Sequence, residues 1–451
     1  MDFCIKQKVK KLNILKIMKI TLLSIVKVGL VNACLASQTM AAGICHGDGV
    51  GKKYFEGAKS FQIDGSADKN QYSVSVYIPK EVADSRNVIP KVLYYFPGYG
   101  QGSFVGERQQ ATLSAFYETL RASGNIREPF VIVFLELGSG FGIDDPRVGE
   151  QQQESFIVQD LIGKFEKECG LSPENRMVLG VSMGGYAALN LASKYPGIFE
   201  RIAVIEPFLL SRKMKSVLKK GERERMAEVQ NFQARTQSRI LKNNHTDYIR
   251  GMLKSVGDMA LHQWASRFEA DPISFVAAND PIEGLSDLFG GANSGGHLPN
   301  ISIFVGDQDE FGLGEGAYDL FSALKDTAKS LVTLEIMPGL NHMTAIPAAL
   351  PKALVRLTEG GDEKLSSLGR FLKSEVEGGA NSIFNVLAMK IKQSQQQISD
   401  SLTLRFELDP FFVFSDLIRR AAALPQGLSV RKHELQPFKK ALGFAELPGE
   451  I

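Results

Sequence analysis

The stretch Met177-Val-Leu-Gly-Val-Ser-Met-Gly-Gly-Tyr186 decides the fold of this chain. Residues 177–181 form an apolar run that predicts a buried strand, and residues 184–194 have the pattern of a helix. Ser182 lies at the corner between them, in the spacing Gly-x-Ser-x-Gly. The flanking glycines are needed because bulk at such a strained corner would collide with the strand or the helix. The pattern predicts an exposed serine nucleophile, and an ordinary glycine-rich turn is the alternative.

A serine nucleophile needs a base that takes its proton and an acid that orients the base. A β-branched run at residues 301–305 ends in Gly306-Asp307-Gln308-Asp309. A second strand pattern at residues 331–337 is followed by Pro338-Gly339-Leu340-Asn341-His342. Because the carboxyl ends of parallel strands share one edge of a sheet, we expect an aspartate and His342 to meet Ser182 there.

These three segments resemble the α/β-hydrolase fold, and within it the putative esterases that include esterase D, tributyrin esterase and the antigen 85 mycolyltransferases. The resemblance covers about residues 70–357, and the chain order serine, aspartate, histidine is that of this fold. It implies that Ser182 is the nucleophile and His342 the general base and acid. It also implies that Asp309 fixes the tautomer of the imidazole and stabilises the imidazolium.

Two other carboxylates compete with Asp309 for the role of the acid. Asp307 directly follows the glycine at the strand end, and Glu206 closes the strand pattern at residues 201–205, where some α/β-hydrolases carry their acid. Asp307 and Asp309 have the alternative of simple turn formers, since aspartate is common in tight loops at strand ends, and Pro207 after Glu206 is also typical of a plain turn. His342 would then simply cap the helix that is predicted from about Thr344.

The oxyanion of the transition state needs backbone N–H groups that already point towards it. One predicted donor is Met183, which directly follows the nucleophile. The second is Tyr99, in the glycine-rich loop after the strand pattern at residues 91–96. The related esterases often read His-Gly-x-Gly in this loop. This chain has Pro97 in place of the histidine, and a flexible connector is the alternative for the loop.

Strand and helix patterns alternate along residues 43–357, which predicts a single catalytic domain. The predicted fold class is α/β, with a mainly parallel central sheet and helices on both faces. Strand patterns at residues 52–63 and 72–78 precede the alternation, and an amphipathic helix is predicted at residues 151–169. Residues 358–451 form a C-terminal extension of unknown role.

About ninety residues separate the strand that ends near Glu206 from the strand at residue 301, and such long connections are commonly functional. We expect a helical lid insertion at about residues 208–296, with Trp264 and Phe268 as candidate wall residues. Its first part is basic, and a solvated helix face is the favoured interpretation of such a run. The other histidines considered lie in less promising contexts: His46, His245, His262 and His297.

Residues 1–42 resemble an export signal, with lysines followed by an apolar stretch and small residues suited to cleavage. Cys34 lies in a weak lipoprotein box and is a candidate lipid anchor. Removing this segment takes away seven lysines and one aspartate, so that the formal charge of +2 becomes −4. That balance offers no electrostatic case for nucleic-acid binding, which requires a clustered positive face. The expected location is periplasmic or secreted.

Cys45 and Cys169 remain after export and form a candidate disulfide, although the sequence does not show that they are close. No metal-ligand spacing and no phosphate-binding loop is present, so we expect neither a metal nor a cofactor. The predicted function is an exported serine hydrolase that cleaves small-molecule carboxylic esters. Acyl transfer to an alcohol and a non-catalytic binding protein of the same fold are the alternatives. The acyl chain, the choice between ester, thioester and peptide, and the oligomeric state stay open.

Overall fold

The computed structural model describes Cys45 and residues 56–358, with internal gaps. The gaps are residues 86–88, 100–102, 139, 147–149, 213–214, 216–226, 228–230, 232–233, 235–277, 292–297, 325–327 and 329–330. The predicted signal segment with Cys34, most of the predicted lid, and the C-terminal extension beyond residue 358 therefore lie outside the described residues. The same holds for His46, His245, His262, Trp264, Phe268 and His297. Among the described helices, none has the length and apolar character needed to span a membrane.

An eight-stranded sheet forms the centre of the described chain. Its strands are β1 (Gly57–Asp64), β2 (Gln71–Ile78), β3 (Lys91–Phe96), β4 (Phe130–Leu135), β5 (Met177–Val181), β6 (Arg201–Ile205), β7 (Asn300–Gly306) and β8 (Val332–Met337). The strand order is β1-β2-β4-β3-β5-β6-β7-β8. The pairs β1–β2 and β2–β4 are antiparallel, whereas the remaining pairs are parallel. This topology confirms the α/β-hydrolase fold that the sequence predicts.

Helices cover both faces of this sheet. They are α1 (Lys80–Asp84), α2 (Ser103–Ala122), α3 (Gln153–Ser155, Phe156–Phe165 and Glu166–Cys169 in succession), α4 (Met183–Lys194), α5 (Pro281–Gly290), α6 (Gly314–Leu324) and α7 (His342–Leu357). Alternate side chains of β3 enter different cores: Tyr94 packs with α3 and α4, whereas Tyr95 packs with α2 and α7. This alternation is what a strand buried on both faces requires.

Helix α3 matches the helix predicted at residues 151–169, but its middle ten residues have π geometry. In a π-helix each amide bonds to the carbonyl five residues earlier, and such segments are rare. Phe156 and Phe165 at the two ends of this segment are both buried. Helical periodicity in the sequence reports the buried face but does not distinguish the wider turn.

A disulfide joins Cys45 to Cys169, the last residue of α3, across 124 positions of sequence. Both cysteines are buried. The pairing that the sequence left open is therefore present in the structure, and it fixes the chain close to the predicted cleavage site onto the catalytic domain.

The two ends of the long insertion are tied together by an ion pair. Lys215 Nζ lies 2.6 Å from Asp280 Oδ2, and both side chains are more than nine-tenths buried. Asp280 also caps α5 by accepting a hydrogen bond from the amide of Ile282. The solvated face favoured for the basic run is therefore wrong for Lys215, although Arg212 is exposed as expected. Periodicity did not reveal this because the partner of Lys215 lies 65 residues away.

Candidate active site

Ser182 lies at the sharp turn between β5 and α4, as the sequence predicts. Its backbone has φ 51° and ψ −113°, a conformation that L-residues rarely adopt. Conformations of this kind cost about 1–3 kcal/mol and persist where the surroundings enforce them. Here the Ser182 amide donates to the Ile205 carbonyl over 2.9 Å, and the Ser182 carbonyl accepts from the amides of Tyr186 and Phe208. The turn is thus held from three sides.

Gly180 and Gly184 allow the close approach on which this turn depends. A Cβ atom on Gly180 would lie 2.7 Å from the Cα of Gly185, inside van der Waals contact. A Cβ atom on Gly184 would lie 2.6 Å from the carbonyl oxygen of Pro97 and would also overlap the carbonyl of Phe96. The absence of a side chain at Gly184 therefore lets the start of α4 pack directly against the loop that follows β3.

The structure brings His342 and Asp309 together across 33 positions of sequence. His342 Nδ1 lies 3.2 Å from Asp309 Oδ1, and both side chains are buried. The Asp309 carboxylate also accepts hydrogen bonds from the amides of Phe311 and Leu313. Because it is fixed by its own loop, it holds the imidazole in one orientation. The ring of Phe311 packs edge-on against the imidazole, with centroids 4.8 Å apart.

Asp307, the runner-up for the acid, occupies a different position. Its side chain is exposed and accepts a hydrogen bond from the amide of Gly339 over 2.6 Å. It therefore fastens the loop that precedes His342 and does not contact the imidazole. This geometry is that of a residue that stabilises a turn, which was the alternative interpretation of Asp307.

Gly306 lets the end of β7 lie directly against the loop that carries His342. A Cβ atom on Gly306 would lie 2.8 Å from the carbonyl carbon of Leu340 and would overlap its oxygen. The amide of Gln308 donates to that same carbonyl oxygen over 2.9 Å. Gly306 thus brings the loops that bear Asp309 and His342 into register.

His342 is the first residue of α7, two positions earlier than the predicted start. The helix is capped by Asn341, whose side chain accepts from the amide of Thr344 in a reciprocal capping box. The alternative role of His342 as the cap is therefore filled by its neighbour. The His342 amide donates to Glu310 Oε2 over 2.9 Å, and this buried glutamate fixes the backbone beside the imidazole. Glu310 could not be predicted from the sequence, since no local pattern distinguishes it from a solvated loop residue.

Glu206, the other rival for the acid, also belongs to this cluster. Its Oε2 lies 3.8 Å from His342 Nδ1, and its side chain is fully buried. Burial raises the pKa of the Glu206 carboxyl well above its ordinary value, and the nearby Asp309 raises that pKa further. Its place at the end of β6 is what makes Glu206 a candidate in the sequence.

Ser182 and His342 lie at the same edge of the sheet, because Ser182 contacts the end of β6 and Glu206 follows that strand directly. Within the described part of the chain, the Ser182 hydroxyl makes no hydrogen bond to the imidazole. Catalytic hydrogen bonds are often long in unliganded enzymes and tighten when substrate binds. The roles of these residues stay predictions that this arrangement permits.

The two predicted oxyanion donors lie on adjoining segments. Met183 is the first residue of α4, and the first amides of a helix have no partner within the helix. Tyr99 lies in the loop after β3, against which Gly184 packs. Its ring is partly buried and contacts Phe141, with centroids 6.1 Å apart. Phe141 also packs on Phe208, so an apolar wall adjoins the turn at Ser182.

Three potential metal ligands, Glu206, Asp309 and His342, have ligand atoms within 4.8 Å of one another. Asp309 and His342, however, already bond to each other, and Asp309 accepts two backbone amides. These hydrogen bonds account for Asp309 and His342 without an ion. That the protein uses no cofactor stays a prediction.

Residues 66–248 match the model of the putative esterase family. The matched part of the chain includes Ser182. No curated protein matches the chain.

Several solved structures are similar to this one. They include a ferulic acid esterase with 16% identity and a TM-score of 0.44, over 67% of this chain and 97% of the other. An S-formylglutathione hydrolase from Agrobacterium tumefaciens has 16% identity and a TM-score of 0.45, over 70% and 98% of the two chains. MPT51 (FbpC1) from Mycobacterium tuberculosis has 13% identity and a TM-score of 0.42, over 66% and 97%. Since all three TM-scores are below 0.5, the fold assignment rests on the strand order instead.

Proposed function

We propose that this protein is a serine carboxylesterase that acts on small-molecule esters, and the match of residues 66–248 to the putative esterase family supports this proposal. The observation that carries the proposal is the pairing of His342 with Asp309 at the sheet edge where Ser182 is held in its strained turn. Nucleophile, base and orienting acid are then all available at one place.

In the proposed reaction, Ser182 Oγ attacks the ester carbonyl while His342 Nε2 accepts the hydroxyl proton. Asp309 accepts the hydrogen bond from Nδ1–H, which leaves Nε2 free to act as the base. The tetrahedral intermediate collapses when the imidazolium returns the proton to the departing alkoxide, and an acyl-enzyme remains. Water then repeats the attack, with His342 again taking and returning a proton, and the carboxylic acid is released.

Negative charge develops on the former carbonyl oxygen during both halves of this reaction. We assign its stabilisation to the amides of Met183 and Tyr99, which are borne by segments packed against each other at Gly184. Donors fixed before reaction stabilise the charge without reorganisation, and removing one such donor costs about 10²–10³ in kcat.

We also propose that the protein works in an oxidising compartment, secreted or periplasmic. The disulfide between Cys45 and Cys169 supports this location, because such bonds persist outside the reducing cytosol. The signal-like character of residues 1–42 is consistent with it.

A fluorophosphonate probe, which labels activated serines, tests the proposal directly. We expect labelling of the wild-type protein and none of Ser182→Ala, with peptide mapping placing the adduct on Ser182. A panel of p-nitrophenyl esters of increasing chain length then defines the acyl preference. Adding an alcohol acceptor separates hydrolysis from acyl transfer by the partition of products. A folded wild-type protein that is neither labelled nor active on any ester would support the non-catalytic alternative.

A further inference from the structure

Glu206 occupies a backbone conformation that needs a reason. It directly follows β6, has φ 50°, and its amide donates to the Phe304 carbonyl over 2.8 Å. A left-handed conformation is unfavourable for a residue with a long side chain. The consequence of this turn is that the Glu206 carboxyl points into the sheet edge instead of solvent, and its side chain is 0% exposed.

The two carboxyl oxygens of Glu206 have different surroundings. Oε1 accepts a hydrogen bond from the Gly306 amide over 2.6 Å. Oε2 has no hydrogen-bond partner among the described residues, and lies 3.8 Å from His342 Nδ1. That nitrogen is the one that Asp309 approaches to 3.2 Å. Two buried carboxyl groups therefore face a single ring nitrogen.

Two carboxylates that share one buried site cannot both be ionised without a large energetic cost. The neighbours of Glu206 decide which of them keeps its proton. Asp309 receives two backbone amides as well as the imidazole, whereas Glu206 receives one amide. Burial raises the pKa of Glu206, and the negative charges of Asp309 and Glu310 act in the same direction. The neutral acid is consequently Glu206.

We propose that Glu206 is a second acid of this site, a positioning residue that takes over from Asp309 as the partner of His342 when a neutral side chain replaces the Asp309 carboxylate. The inference rests on the proposed function and names a further residue of that site. With Asp309 ionised, Glu206 stays protonated and its contribution is small. Without that charge, Glu206 releases its proton to solvent and accepts the Nδ1–H of His342. A shift of about 1 Å brings Oε2 into hydrogen-bond range.

The test compares Asp309→Asn, Glu206→Gln and the double variant. Glutamine keeps an oxygen for the Gly306 amide but cannot become an anion. We expect Glu206→Gln in the wild-type background to lower kcat/KM for a p-nitrophenyl ester by a smaller factor than in the Asp309→Asn background, because the side chain that it replaces is already neutral in the wild-type protein. In the Asp309→Asn background, the same substitution should lower kcat/KM by at least about tenfold, since no charged acceptor is left. Asp307→Asn combined with Glu206→Gln is the matched control and should behave as Glu206→Gln does.

A merely structural role for Glu206 predicts the same fold-change in both backgrounds, and that result would overturn the proposal. So would a loss of several hundredfold in Glu206→Gln alone, which would make Glu206 the principal acid. A second readout does not depend on turnover. The strongly deshielded proton resonance of His342 Nδ1–H should persist in Asp309→Asn at neutral pH and vanish when Glu206 is also replaced or when the sample is acidified.

The Asp309→Asn spectrum decides the question even if the double variant does not fold, because absence of the resonance at neutral pH contradicts the proposal. Fluorophosphonate labelling of the wild-type protein distinguishes a failure of the proposed role of Glu206 from a failure of the proposed esterase function. If Ser182 is labelled but the two backgrounds respond equally, only the role of Glu206 fails. If wild-type Ser182 is not labelled, the proposed esterase function fails regardless of the spectra.

Discussion

Asp309 contacts the imidazole of His342, while Asp307, two residues earlier, bonds to the backbone of Gly339 on the loop before it. We therefore expect Asp309→Asn to lower kcat/KM by about 10²–10⁴-fold, since the imidazole loses the carboxylate that fixes its tautomer and Glu206 replaces it only in part. Asp307→Asn should stay close to wild type. Steady-state assays of both variants give the comparison, and equal losses would show that the acid has been assigned to the wrong aspartate.

Ser182→Ala should lower turnover by about a million-fold, because the reaction loses its nucleophile. The strained turn makes a second prediction for the same position. Ser182→Gly should be more stable than Ser182→Ala by about 1–2 kcal/mol, since glycine adopts φ 51° without strain. Urea denaturation of the two inactive variants measures this difference. An alanine variant as stable as the glycine variant would show that the turn stores no strain.

Gly184→Ala should destabilise the fold by at least about 2 kcal/mol and abolish labelling by a fluorophosphonate. The added Cβ atom would overlap the carbonyl of Phe96 and force α4 away from the loop that carries Tyr99. Gly290→Ala is the control, because no atom lies within 4 Å of a Cβ there and α5 ends at this residue. The control should be neutral or stabilising by about 0.5 kcal/mol. Thermal unfolding and labelling of both proteins test the contrast.

Replacing Cys45 and Cys169 together by alanine should lower the free energy of unfolding by about 2–5 kcal/mol. The bond closes a loop of 124 positions and anchors Cys45 to α3. Esterase activity of the folded fraction should be retained, because neither cysteine lies in the cluster around His342. Dithiothreitol should destabilise the wild-type protein by a similar amount and leave the double variant unchanged. Insensitivity of the wild type to dithiothreitol would contradict the presence of the bond.

The buried carboxyl of Glu206 should make the stability of the protein depend on pH. Its pKa is raised in the folded state, chiefly by burial, above the ordinary value of 4.5 that applies after unfolding. Unfolding then releases a proton, so the contribution of Glu206 is fully present below about pH 4.5 and declines as the pH rises above it. Glu206→Gln should remove this decline. Urea denaturation between pH 4.5 and 8 gives the slope of the unfolding free energy against pH for the wild type and for Glu206→Gln. A cost of burying the glutamine amide that does not depend on pH leaves this slope unchanged. Parallel slopes would mean that Glu206 is ionised in the fold.

Local pattern was sufficient for most of the central sheet. The strands β3, β4, β5 and β6 have the bounds that the apolar runs predict, β2 and β8 differ by one residue at one end, and β7 is one residue longer at each end. Strands β3 to β6 are buried on both faces, so their sequences are nearly continuous apolar runs between polar loops, whereas β2 shows the alternation of a strand with one buried face. The antiparallel edge was harder: the pattern at residues 52–63 predicts an earlier start, whereas β1 begins at Gly57. An edge strand has one neighbour, and its ends are set by that pairing.

The sequence by itself determined the strand-to-helix turn at Ser182, the order of the three functional segments and the sheet edge where they meet. Glycine spacing and apolar periodicity are local properties of the sequence. They identify the strands, and the loops that follow parallel strands meet at one edge of the sheet. Only the tertiary structure decided which aspartate faces His342, that Cys45 reaches Cys169, that Lys215 is buried against Asp280, and that Glu206 shares the imidazole with Asp309. Those relationships depend on distances between segments 33 to 136 residues apart and on the removal of water from charged groups. Neither leaves a periodic trace in the amino-acid sequence.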